Sequence, residues 1–123
     1  MSDEQLERAR RLAAAMADKK AEGLLALDVR QVASFADTFL FATGSSDRHV
    51  RTLADAVLER ARADGDSPLG IEGYEDGRWI LIDLGDVIVH VFQREVREHY
   101  ALERLWSDAP LLDLEGPARS LAR

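Results

Sequence analysis

A chain of 123 residues has room for one hydrophobic core, which excludes a two-domain arrangement. With 46% hydrophobic and 32% charged residues, no apolar run near the ~18 to 20 residues of a membrane helix and no cysteine, it reads as a folded, unanchored chain without disulfides, thiolate chemistry or Cys-based zinc. The net charge of −7 is unevenly placed: residues 64–115 carry thirteen acids against four arginines, which disfavours direct nucleic-acid contact there and steers a basic protein partner, unless it only solubilises the surface.

Leu6, Ala9, Ala13, Met16 and Ala17 recur at helical spacing and predict a first helix over residues 4–20, with Arg8, Arg10 and Arg11 outward and Gly23 as its stop. Residues 24–29 read as a strand with Leu25, Leu27 and Val29 on one side. A polar stretch then leads to residues 38–43, a near-continuous apolar run that predicts a strand buried on both faces. Val50, Leu53, Ala54, Val57, Leu58 and Ala61 predict the clearest helix, with Ser45 or Ser46 as N-cap and Asp47 at the positive end of the dipole. Asp64, Gly65, Asp66 and Pro68 end it.

A short strand around residues 69–72 and a turn over 73–77 come next. Residues 78–84 and 87–92 are two strands separated by Gly85 and Asp86, a pair that suits a type II′ two-residue turn. Residues 95–106 read as one last helix, followed by Pro110 and a weakly structured tail. The expected organisation is one domain over 1–112 with a tail over 113–123. Its class is α/β: a mixed sheet of about five strands with helices packed on it.

The turn fixes the hairpin register, pairing Leu84 with Val87 and, at the far end, Trp79 with Phe92. One face is then wholly aliphatic: Ile80, Ile82, Leu84, Val87, Val89 and Val91. The other carries Trp79, Leu81, Asp83, Ile88, His90 and Phe92, apolar enough to bind yet able to tolerate water, and is the candidate site. The alternative is that another helix covers this face and His90 bonds to Asp83 or a neighbour.

Catalytic chemistry finds little support. The junction from Thr43 to Asp47 aims backbone N–H groups and a helix dipole at one spot, but no phosphate-loop pattern accompanies it, and the serines are explained as caps. A metal-dependent nucleotidyl transfer enzyme can begin with such a strand, Gly-Ser and helix, yet needs paired carboxylates on the following strand. Asp83 and Asp86 lie three apart across a turn instead. His49, His90 and His99 match no zinc spacing and read as surface or packing residues. Arg48 and His49 oppose the helix dipole in the first turn, and a local bond to an acid would account for them.

Four linked blocks, 42–50, Glu72-Gly73, 79–92 and 100–110, closely resemble the ribosomal silencing factor family, RsfS or Iojap, over about residues 5–112. The resemblance implies a fold similar to a degenerate nucleotidyltransferase scaffold and a cytoplasmic, non-enzymatic protein without cofactor or metal. It implies binding to large-subunit ribosomal protein fourteen, steric exclusion of the small subunit and repression of translation in starvation. Carried over residue by residue, the contact positions are Trp79, Leu81, Asp83, Tyr100, Trp106 and Pro110, beside His90 from the hairpin argument. Two other readings stand: an enzyme using Ser45, Ser46 and Asp83, and a homodimer through the mixed hairpin face, which could coexist with ribosome binding.

Overall fold

The computed structural model describes residues 3–114; the tail expected over 113–123 therefore lies outside the described residues beyond Leu114. The first helix, α1 (Asp3–Ala17), is followed by β1 (Glu22–Asp28), β2 (Thr38–Gly44), α2 (Asp47–Ala63) and the short β3 (Gly70–Glu72). Then come β4 (Trp79–Asp83), β5 (Val87–Gln93), α3 (Arg94–Tyr100), α4 (Leu102–Leu105) and β6 (Leu111–Leu112). The sheet has six strands in the order β3-β4-β5-β2-β1-β6; β2 and β5 run parallel and every other pair antiparallel. The expected α/β class with a mixed sheet is what forms, with β6 as an added strand.

Two layers sandwich the sheet. The aliphatic hairpin face packs under α1 and α2, where Leu12, Met16, Val50, Leu53 and Val57 meet Ile80, Ile82, Val89 and Val91. Leu12 is buried and Ala17 exposed, so the buried stripe of α1 is rotated from the one the spacing predicts. α1 also ends earlier than residue 20. Lys20 takes a left-handed φ of 69°, and Ala21 N–H donates to the Met16 carbonyl (3.1 Å), closing the helix before Gly23, which lies within β1. β2 is buried along its whole length, as a strand covered on both faces must be: Leu40 and Ala42 face the helices, Phe39 and Phe41 the opposite side.

The hairpin keeps the expected register from Trp79 opposite Phe92 to Asp83 opposite Ile88. Gly85 has φ of 92°, as the first residue of the primed turn requires, and Asp83 Oδ1 accepts from its N–H at 2.8 Å.

The C-terminal region departs most from expectation. Instead of one helix over 95–106, Ala101 adopts φ 47°, ψ 47° and breaks it into α3 and α4. The break turns the chain so that Val96 and Leu102 both reach the second core and Trp106 stands edge-on to Phe39 at 5.2 Å.

Candidate functional site

The mixed hairpin face lies on the side of the sheet away from α1 and α2. Ile88, His90 and Phe92 are buried there, while Trp79, Leu81 and Asp83 remain half-buried. α3 covers part of this face with Val96, so the covering alternative is realised over Phe92 and Phe41 but stops short of the edge at β4. Tyr100, at the end of α3, is 54% exposed and its ring lies 5.0 Å from that of Trp79.

Beneath this pair is a connected set of rings. Trp79 donates its indole N–H to His90 Nδ1 at 3.2 Å, and the imidazole stacks on Phe41 at 5.2 Å with planes 19° apart. Phe39 sits 5.6 Å from His90 and 5.2 Å from Trp106, and Phe35 leans on Phe39 at 5.9 Å. His90 is thus not an accessible contact residue. It is only 6% exposed, its bond goes to Trp79 rather than Asp83, and burial pushes its pKa down to about 4, so it is a neutral acceptor that holds the indole.

Two sequence blocks distant along the chain therefore meet in one aromatic strip. Trp79 and Leu81 form one end with Tyr100, and Trp106 with exposed Phe35 forms the other. Glu72 lies opposite Leu81 across the β3–β4 pair, and the half-buried Asp83 is on the same face, so carboxylates border the strip. Pro110 is exposed and tied back to β1, because its carbonyl accepts the Asp28 N–H at 2.8 Å. Asp28 is itself buried, and its hydrogen bonds from the Arg30 guanidinium, at 2.8 and 3.0 Å, hold its carboxyl below the usual carboxylate range.

A model of the family described as "Ribosomal silencing factor during starvation", RsfS, matches residues 2–123. The chain belongs to this family. It is 47% identical over 103 residues to the ribosomal silencing factor RsfS of Bacillus subtilis, covering 84% of this chain and 87% of that one. A crystal structure of a Chromobacterium violaceum protein matches with a TM-score of 0.80 at 34% identity, over 87% of this chain and 88% of that one. The mitochondrial Iojap-related protein of Arabidopsis thaliana is 33% identical over 97 residues, which span 75% of this chain and 52% of that protein.

In this RsfS-family chain, the groups considered for catalysis are engaged in a helix cap, a turn and side-chain pairs. Ser46 caps α2, its side chain accepting from His49 N–H at 3.0 Å. Ser45 N–H donates to His49 Nδ1 at 2.8 Å, and His49 Nε2 reaches the Lys19 carbonyl at 2.8 Å. His49 is therefore placed by backbone groups on both sides and staples the α1–β1 turn to α2, while the local acid that would account for the Arg48–His49 pair meets Arg48, whose N–H donates to Asp47 Oδ1 at 2.8 Å. Asp86 binds Arg8 at 2.7 Å, while Asp83 holds the Gly85 turn. Among the described residues, no group of three or more His, Asp or Glu is placed to hold a metal ion.

Val32 and Phe35 belong to the polar stretch before β2, which the sequence reading passes over. They are 45% and 62% exposed, Phe35 leaning on Phe39 of the strip, whereas Ala33 and Ala36 of the same segment enter the core. An apolar pair at 32 and 35 amid Arg30, Gln31, Ser34 and Asp37 was the available signal.

Proposed function

We propose that this chain binds the large ribosomal subunit through ribosomal protein fourteen, seating the strip of Trp79, Leu81, Tyr100 and Trp106 on that partner. By occupying the subunit-joining surface it keeps the small subunit away and represses translation in the cytoplasm. The observation that carries this reading is the contact between Trp79 and the exposed Tyr100, which joins the two sequence blocks into one surface. Aromatic groups half-withdrawn from water, ringed by polar neighbours, are what a binding hot spot requires. Asp83 and Glu72 at the rim suit a basic ribosomal protein, and Pro110 extends the contact toward β1.

Exclusion by occupancy asks nothing of a nucleophile or a metal, so the reading is non-catalytic. A homodimer through the mixed hairpin face is a second state that can coexist with ribosome binding, and sedimentation over a range of concentrations shows whether it forms.

The test is binding to isolated large subunits. Trp79→Ala should weaken it by ~2 kcal/mol, about thirtyfold. Because Trp79 also packs inward, Tyr100→Ala serves as the surface variant: it should keep the melting temperature of the parent and still lose several-fold in affinity. Unchanged affinity in a folded Tyr100→Ala together with Trp79→Ala, or subunits that join equally well at saturating protein, would overturn the proposal.

A further inference from the structure

We propose that the crevice at the carboxyl ends of β2 and β5 binds phosphate groups, with Arg94, Arg97 and Arg104 as the ligating side chains. β2 and β5 are the parallel pair of the sheet, and the chain leaves them toward opposite faces. From Gly44 it passes into α2 over the aliphatic core, and from Gln93 into α3 over the aromatic one. Where neighbouring parallel strands send their connections to opposite sides, a crevice opens beyond their carboxyl ends, and α/β sheets bind ligands there.

Here the crevice has a volume of about 410 Å³ and is lined by Arg94, Arg97, Arg104, Thr43, Glu22 and Glu98 among others. Three of the four arginines within residues 64–115 thus converge on one opening in an otherwise acidic stretch. Their placement differs in a useful way. Arg97 is fixed: its Nη1 donates to the Gly23 carbonyl at 2.6 Å and to Thr43 Oγ1 at 2.8 Å, and its guanidinium lies 5.8 Å from the Phe92 ring centre. Arg94 is held by Glu22 at 2.5 Å, with both side chains more than 60% exposed.

An ion pair that open to water is weak and readily exchanged. A terminal phosphate or diphosphate carries more charge than a carboxylate, a nucleic-acid backbone repeats single charges along its length, and the planar guanidinium matches either with two parallel bonds. Either can therefore take the place Glu22 occupies. The phosphate can come from an RNA backbone or from a free diphosphate-bearing molecule; the recognising chemistry is the same. The site is separate from the aromatic strip and does not rest on it.

The experiment titrates the full chain, at low salt, with pyrophosphate and separately with a short RNA duplex. Binding is followed by calorimetry and by the NMR signals of the arginine side chains. Arg94→Gln combined with Arg104→Gln should bind at least about tenfold more weakly, while Arg78→Gln, outside the crevice, should match the parent. Glu22→Gln should bind several-fold more tightly, because it removes the competing carboxylate. Binding of pyrophosphate alone assigns a free diphosphate, of the duplex alone an RNA backbone, and either supports the site. Binding of neither probe, or equal binding by the double arginine variant, overturns it. Trp79→Ala should leave both titrations unchanged, so failure here and failure of ribosome binding are told apart.

Discussion

At the residue scale, His90 sets a pH limit on the molecule. Its imidazole is buried between Phe41 and the Trp79 indole, and burial lowers its pKa from the ordinary 6.5 to about 4. Between those values the unfolded chain binds a proton that the folded chain does not, so stability rises with pH across the window. The full contribution is present above about pH 6.5 and is lost as pH falls toward 4. Urea unfolding should give a stability about 2 kcal/mol lower near pH 5 than near pH 7.5 from this group alone. His90→Phe, which keeps a ring but cannot ionise, should flatten that slope and, having no acceptor for the indole, shift Trp79 fluorescence. An unchanged slope in the variant would place the acid sensitivity elsewhere. Gly73 acts on the same indole from the backbone side. With φ of 79°, a Cβ there would fall 2.1 Å from the Trp79 carbonyl oxygen, so Gly73→Ala should cost about 2 kcal/mol or more in urea unfolding and move the indole emission. The candidate positions Trp79, Leu81 and Asp83 were legible because a two-residue turn dictates which side chains share a face. That His90 lies under Trp79 was not, since alternation gives a face but not the depth at which a neighbouring helix ends.

At the scale of elements, Ala101 is where local and tertiary preference conflict. An L-residue with a Cβ in the left-handed region costs roughly 1–2 kcal/mol, and Ala101 accepts that conformation because the turn carries Leu102 and Trp106 onto the aromatic core. Ala101→Gly removes the clash but frees the unfolded chain, which takes back part of the gain. The net expectation is a stabilisation of about 0.5–1 kcal/mol, seen as a melting temperature ~3 °C higher in calorimetry. A lower melting temperature would mean that the strain is absorbed elsewhere. The apolar spacing of residues 95–106 carries only a trace of this break: Val96 and Tyr100 are one helical turn apart, as are Leu102 and Trp106, but six residues separate Val96 from Leu102, so the two pairs fall on different faces, a shift that the single-helix reading passes over. β6 was hidden: two residues pairing with Ala26 and Leu27 are a strand only because β1 offers a free edge to a segment far away in sequence. Gly85, by contrast, announces the hairpin by itself, and the register followed from it.

At the scale of the whole molecule, the division of charge along the sequence is not its division in space. The acids of residues 64–115 include Asp64, bonded to Arg60 and Arg11, and Asp66 and Asp86, both bonded to Arg8. The arginines of α1 and α2 thus neutralise part of the acidic stretch across the fold. Glu72 and Asp83 remain beside the aromatic strip, where charge can steer a basic partner. Steering acts on the approach and not on the seated complex, so the two components of binding should separate kinetically. Raising salt from about 0.05 M to about 0.5 M shortens the screening length from ~14 Å to ~4 Å, and the association rate with isolated large subunits should fall about tenfold while dissociation changes little. Glu72→Gln combined with Asp83→Asn should lower the association rate at low salt and blunt its salt dependence. Trp79→Ala should instead speed dissociation at every salt concentration, because the indole contributes only once water has left the interface. Stopped-flow mixing resolves both rates. An association rate indifferent to salt would show that the acids at the strip's edge serve solubility and take no part in the encounter.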